Sequence, residues 1–476
     1  MCSSTLRRVR LCITALAALA LTHAYGQSST VSYNGVHAIV GAKIVVGDGH
    51  VLEKGTLVIR DGMIVAVAPD AAVPRGADVL DGKGLTVYPG FIDAYTTKGI
   101  AAPPSSPAKA DPDTNVGEYA SAFMRESVRK GIRPEERAVE NLALTDEFLK
   151  PYQTAGFTTV LIAPSGGDMS GVAALVNLSG RPVRECTVVA DVAEAIGFGS
   201  QAWGEGYPSS LMGHIAQLRQ TFLDAQWYLA VDRSFRAGGI RRPPSDRSLI
   251  SILPVLDGKL PAMWDADNEH QIERSLNLSA EFGLEPMIAG GGEAWKQLGA
   301  IKKSGAPILL SIAFGREPGS KETPPPGGPP KAETDTPAER TIEENPAKLI
   351  EQLRLYRETL KNASVLAAAG IPVALSTKGC KSQSEFMDNL RKAVEAGFPK
   401  EAALRAMTID AARVFGVDRQ TGTLEVGKIA NVTVMTGDFL DAKSKVKMLY
   451  VDGRKIDPSK AAATPTPRFR FGAEGN

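Results

Sequence analysis

Charge of one sign is what this sequence lacks first. Across 476 residues, 54 Lys and Arg stand against 53 Asp and Glu, a net of +1. Such a balance leaves no electrostatic footprint for nucleic acid or for an acidic membrane surface, so small, roughly neutral partners fit better. Cysteine is also scarce. Of four, Cys2 and Cys12 fall in the first residues, and Cys186 and Cys380 are too far apart in sequence to form a disulfide framework. Two separate thiols are the expectation, although an exported location would permit a bridge. Long apolar runs are missing too: Leu11 to Leu21 is shorter than the roughly 20 residues a bilayer-spanning helix needs, and no later segment reaches that length. No stable membrane span is expected.

Arg7, Arg8 and Arg10 precede that short run, and Ala24-Tyr25-Gly26 supplies small residues where a signal peptidase reads. Residues 1–26 therefore read as a signal peptide, with cleavage near Gln27 and a periplasmic or secreted product; a retained anchor is the alternative. The 43% hydrophobic content supports a large core, enough for one barrel plus a smaller module.

From Val36 to Val87 the pattern is short alternating strands, and Leu57-Val58-Ile59-Arg60 faces Met63-Ile64-Val65-Ala66-Val67 across Asp61-Gly62, a hairpin signal. A second set, Asn431 to Met435 and Met448 to Val451 before Asp452-Gly453, appears only after residue 430. The two sets are expected to pair. Between them, apolar runs alternate with helical patterns: Phe157 to Ile162, Leu249 to Leu256, Pro261 to Trp264, Pro286 to Ala289, Pro307 to Ile312 and Pro372 to Leu375. Runs without polar alternation suit strands buried on both faces.

The expected fold class is α/β: a (β/α)8 TIM-like barrel with a composite β-sandwich domain built from both chain ends. The sandwich takes residues 27–88 plus 418–457 and the barrel 89–417, with insertions at 101–150 and 315–346. The first insertion reads either as a lid or as a surface excursion. The second contains Pro324-Pro325-Pro326-Gly327-Gly328-Pro329-Pro330, which cannot bury enough apolar surface to order itself, and the tail 458–476 is similarly flexible in composition.

Three motifs carry a family resemblance. Asp81 to Val87 leads into Tyr88-Pro89-Gly90-Phe91-Ile92-Asp93; the others are Ala406-Met407-Thr408-Ile409-Asp410-Ala411-Ala412-Arg413-Val414-Phe415-Gly416 and Thr421-Gly422-Thr423-Leu424-Glu425-Val426-Gly427-Lys428-Ile429-Ala430-Asn431. In this order, around a barrel-length insert, they resemble the amidohydrolase superfamily in its imidazolonepropionase-like branch. The resemblance implies a hydrolase of carbon–nitrogen (non-peptide) bonds that uses zinc or another divalent metal to lower the pKa of water and polarise a carbonyl.

The resemblance also implies where metal ligands would stand. Two histidines at i and i+2 on the first barrel strand would serve one metal, and those places hold Tyr95 and Thr97. The next histidine position aligns with Asp265, the following one with Gly290 or Gly291, and the aspartate position with Lys378. Tyr, Thr and Gly are poor zinc ligands and a lysine ammonium repels cations, so no metal ligand set and no cofactor are expected.

Lys378, Asp265 and Tyr95 are instead the candidate catalytic residues, with Thr97, Gly290 and His214 as candidate substrate contacts. A Lys378–Asp265 pair would either fill the hole or provide a base or Schiff-base nucleophile. His214, inside the apolar pattern Leu211 to Leu218, also reads as an ordinary packed histidine. Ser165 to Gly171 and Gly290 to Gly292 read as strand-to-helix turns or as amide cradles for an anion. Trp203, Tyr207, Trp227 and Tyr228 read as packing or as a substrate surface. Two functions stay open: an enzyme acting without the usual metal pair, and a pseudoenzyme that binds a small molecule, a second copy of itself or an active paralogue.

Overall fold

The computed structural model describes residues 35–101, 131–199, 208, 210–239, 242–320 and 346–460. The signal segment, most of both insertions, Trp203, Tyr207 and the end of the tail lie outside the described residues. In chain order the strands are β1 (Val36–Val45), β2 (Val51–Arg60), β3 (Met63–Ala68), β4 (Asp78–Asp81) and β5 (Thr86–Pro89). Next come β6 (Phe91–Thr96), β7 (Phe157–Ile162), β8 (Met169–Asn177), β9 (Thr187–Ile196), β10 (Ala262–Ala266), β11 (Pro286–Gly290), β12 (Ile308–Ser311) and β13 (Val373–Ser376). Last are β14 (Val432–Met435), β15 (Val446–Val451) and β16 (Arg454–Ile456).

Both chain ends build one sheet, in the order β16-β15-β14-β5-β1-β2-β3, with β4 paired to the first half of β1. The ends meet where β14 runs antiparallel to β5, Val432 opposite Pro89 and Met435 opposite Thr86. A register irregularity between Val40 and Ala42 lets β1 pair with β4 through residues 37–40 and with β5 through Lys43 and Ile44. The expected sandwich is thus a continuous sheet around one apolar cluster that includes Ile39, Leu57, Ile64, Val434 and Tyr450. Two Asp-Gly hairpin tips dock against each other. Asp61, Gly62, Asp452 and Gly453 all have positive φ, and a Cβ on Gly453 would overlap Gly62.

The second sheet runs β13-β12-β11-β10-β9-β8-β7-β6, and its outer strands β13 and β6 lie beside each other. One face of its strands points inward through Ile92, Ala94, Met263, Met287, Ala289, Leu309 and Ala374. The other lies beneath the helices through Phe91, Val160, Ile162, Trp264, Ile288, Ile308 and Leu375. Both faces are apolar, which is why the strands lack polar alternation.

Two expectations are corrected. Leu249 to Leu256 is not a strand but part of the helix Arg247–Leu256, capped by Asp246 accepting from the Leu249 amide at 3.0 Å. It buries Ser248, Leu249, Ile252 and Val255, a helical spacing that the apolar run masked. Within the TIM-like barrel, β8 is antiparallel to both β7 and β9. Ser165 to Gly171 therefore joins strand to strand rather than strand to helix.

The three family-like motifs converge in space. Pro89-Gly90 passes the chain from one sheet to the other, and the Gly90 amide donates to Asn431 O at 2.8 Å. Two residues further, the Ile92 amide donates to Met407 O at 2.7 Å, anchoring the start of β6 on the C-terminal helical motif. Among the described residues, no helix is long and apolar enough to cross a membrane.

Candidate functional site

At the carboxyl ends of β10, β11 and β13 the chain gathers a charged cluster. Lys378 Nζ donates to Asp265 Oδ1 at 2.5 Å, to Asp267 Oδ2 at 3.2 Å and to the Ala289 carbonyl at 3.1 Å. It also lies 5.8 Å from the Tyr95 ring centroid, within cation–π range. The lysine side chain is 16% exposed, but Asp265 and Asp267 remain 48% and 55% exposed. Burial works against the Lys378 ammonium, yet attraction to Asp267 and Asp265 outweighs it and the pKa is raised above the ordinary lysine value. A base or Schiff-base nucleophile needs the opposite shift. Lys378 is held as a cation. Tyr95 is held neutral, its pKa raised by burial and then by Asp265 and Asp267.

Local structure explains the aim of each group. Asp265 is two residues past inward-facing Met263, and Asp267 just follows β10. Asn268 then opens the helix Glu269–Phe282 with a capping box: its side chain accepts from the Gln271 amide at 3.0 Å, and Gln271 Oε1 accepts from the amides of Asn268 and Asp267. The Asp267 carbonyl is also fixed, accepting from the Glu293 amide at 2.8 Å. Gly290 stands where space is absent. A Cβ there would overlap Asp267 Oδ1 and come within 2.8 Å of Lys378 Nζ, and its φ of 120° disfavours any other residue. Gly290 is thus a packing requirement of the cluster.

The backbone of Lys378 is clamped from both neighbouring strands. Ser311 Oγ donates to Lys378 O at 2.6 Å. Asp93, fully buried in β6, accepts from the Thr377 amide at 2.8 Å and from the Thr377 hydroxyl at 2.6 Å, joining β6 to the end of β13. Burial raises the Asp93 pKa to about 6, only partly offset by the Thr377 donors.

Other candidates fall elsewhere. Tyr95 is buried while Thr97 is exposed, so the i and i+2 positions do not share a face, and the pairing of β6 with β7 is irregular between Asp93 and Thr96. His214 is buried; its Nδ1 lies 2.9 Å from Asp168 Oδ2, and Gly199 packs so tightly over the ring that a Cβ would overlap it. Burial raises the Asp168 pKa, with the His214 contact working the other way. This pair ties the helix Leu211–Arg236 to the loop before β8. The amides of Gly291 and Glu293 donate to Ala266 O and Asp267 O, and Asn362 Nδ2 caps the carbonyls of Gly291 and Gly292, so this turn presents no cradle to an anion. Tyr228 is core and Trp227 half-exposed, and Cys186 and Cys380 are both free and buried.

Linear sequence pattern alone does not single out Asp267 or Asp93. A signal nonetheless exists for both. Asp267 sits two residues from Asp265, and Asp93 is inside the Pro-Gly-Phe-Ile-Asp motif.

The donor set around Lys378 does not fit a divalent metal. Two carboxylates and one carbonyl converge on a spot already holding an ammonium, which has no lone pair to ligate a metal and already engages the oxygens that would. Among the described residues, no group of three or more His, Cys, Asp or Glu side chains is arranged to hold a metal ion.

Residues 338–456 match the amidohydrolase family. The fold is that of an amidohydrolase from Thermotoga maritima MSB8, with a TM-score of 0.70 and 20% identity over 88% of this chain and 99% of that one. An N-acyl-D-aspartate deacylase from Alcaligenes xylosoxydans xylosoxydans is 43% identical over 58 residues, 12% of this chain and 11% of the deacylase. An imidazolonepropionase from Deinococcus radiodurans is 41% identical over 51 residues, 11% and 13% of the two chains. The matches span about a tenth of the length of these curated relatives. The family match covers the C-terminal quarter of the chain, and the fold over most of its length is one shared with amidohydrolases of known structure.

Proposed function

We propose that this chain is an exported amidohydrolase-superfamily protein that holds a small molecule at the barrel mouth, with the Lys378 ammonium standing where a divalent metal would stand in relatives. The observation that carries this reading is the Lys378 contact of 2.5 Å to Asp265 and 3.2 Å to Asp267, around a Gly290 position that no other side chain can enter. A lysine held as a cation by two carboxylates is a poor base and a poor nucleophile, so the geometry favours binding over turnover. Metal analysis of the purified protein tests the reading: substoichiometric zinc, manganese and magnesium are expected, and one tightly held ion per chain defeats it.

A second reading, hydrolysis of carbon–nitrogen (non-peptide) bonds in small molecules, is favoured by the shared fold and by the local similarity to a deacylase and an imidazolonepropionase. Here the half-exposed Asp265 or Asp267 would be the base. Metal-free protein that turns over hydantoins, dipeptides or lactones supports this reading, and inactive protein stabilised by a small ligand supports the first. A second copy or an active paralogue remains a partner for the binding form. Export rests on Arg7, Arg8 and Arg10 before Leu11 to Leu21. Amino-terminal sequencing of the secreted or periplasmic fraction is expected to begin near Gln27.

A further inference from the structure

We infer that the Lys378 mouth recognises an organic cation, a primary ammonium or guanidinium group carried by a small molecule. This deepens, and rests on, the reading that Lys378 replaces a metal. The first observation is charge: two carboxylates and one ammonium leave one uncompensated negative charge in the cluster. Lys378 uses Asp265 Oδ1 and Asp267 Oδ2. Both carboxylates stay about half-exposed, so the pair is open to a ligand at the mouth. An anionic ligand would meet net repulsion there, and a neutral one would gain nothing from it. A cationic head completes the charge balance and accepts the geometry of two adjacent carboxylates.

A second, independent observation points the same way. Ser376 is fully buried, and its hydroxyl has no hydrogen-bond partner among the described residues. Its direction follows from β13: Ala374 lies in the inward-facing cluster and Leu375 in the outer one, so Ser376 points inward, one step below Lys378. Its partner across the ladder is Ser311, whose hydroxyl already holds the Lys378 carbonyl. A buried hydroxyl left unpaired is costly, and here it faces the barrel axis beneath the carboxylates. An N–H donor entering from the mouth would satisfy it. The Tyr95 ring, neutral and buried beside the carboxylates, adds an aromatic wall of the kind that favours cations.

The test is calorimetric titration of the full purified chain at constant ionic strength with four probes of one size: butylammonium, butylguanidinium, butyrate and 1-butanol. The two cations are expected to bind one per chain and the two controls not to bind. Asp267→Asn removes the uncompensated charge at a half-exposed position while leaving the Lys378–Asp265 contact, and is expected to weaken butylammonium about tenfold. Ser376→Ala, at a site with no partner to lose, is expected to weaken it several-fold without lowering Tm. Butyrate binding as well as the amine, cations failing to bind, or affinity indifferent to Asp267→Asn would each overturn the inference. None of these would touch the metal-free reading, which the metal content decides. Zinc alone binding one per chain, with loss in Asp267→Asn, would overturn both.

Discussion

Two polar side-chain clusters in the barrel differ in almost every respect. On the β7–β9 side, His214 and Asp168 are nearly sealed from solvent, and they fasten a helix to the loop before β8. On the β10–β13 side, Lys378 meets two carboxylates that remain about half-exposed. Burial makes the first pair structural: neither member can leave without stranding the other in a low-dielectric setting. Exposure makes the second pair available: water screens it, so it contributes little to stability and keeps charge free for a ligand.

The largest expected effect breaks the sealed side. His214→Ala leaves Asp168 buried without its partner and should cost about 3–5 kcal/mol in urea unfolding. A loss no greater than that of a Lys378 variant would erase the distinction between the two pairs. Next comes the seam between β6 and β13. The folded Asp93 pKa of about 6 is above the unfolded carboxylate value, so the folded state binds the extra proton. Stability from this group is full below about pH 4 and is lost as pH rises through about 6, a change of about 3 kcal/mol. Asp93→Asn should flatten that part of the wild-type profile, since the Thr377 hydroxyl can turn to accept from the amide. Unfolding midpoints measured between pH 4 and 7 for both proteins decide it, and parallel curves would contradict the assignment.

Smaller effects sharpen the open side. Gly290→Ala forces a Cβ into the Asp267 and Lys378 contact at positive φ and should cost about 1–3 kcal/mol. A Tm unchanged by it would mean that the cluster yields easily. Lys378→Met should move stability by no more than about 1 kcal/mol in either direction, as expected of a screened pair. A much larger loss in chemical unfolding would mark Lys378 as a structural keystone rather than a ligand-facing charge.

Strands buried on both faces were legible because β7, β10, β11, β12 and β13 read as short apolar runs between turn signals. The Asp61-Gly62 hairpin and the pairing of the two chain ends were legible for the same local reason. Leu249 to Leu256 misled because an apolar run of that length suits strand and helix equally, and the buried spacing of Leu249, Ile252 and Val255 is visible only once neighbours are in place. β8 and β9 were missed because their register depends on partners distant in sequence, not on local pattern.

In the site, alignment with a family brought Lys378 and Asp265 into view. Asp267 needed the capping box at Asn268, and Asp93 needed the depth of burial at the seam, neither of which a linear pattern reports. Thr97 and His214 show the converse. Aligned position suggested Thr97 and residue type suggested His214, while Thr97 lies exposed just past β6 and Gly199 packs over the His214 ring.

Anomalous scattering from crystals of the full chain grown with added zinc bears most directly on Lys378 standing in a metal's place. The expected density shows the lysine ammonium between Asp265 and Asp267 with no anomalous peak among them. A peak coordinated by those two carboxylates, with Lys378 swung away, would contradict it.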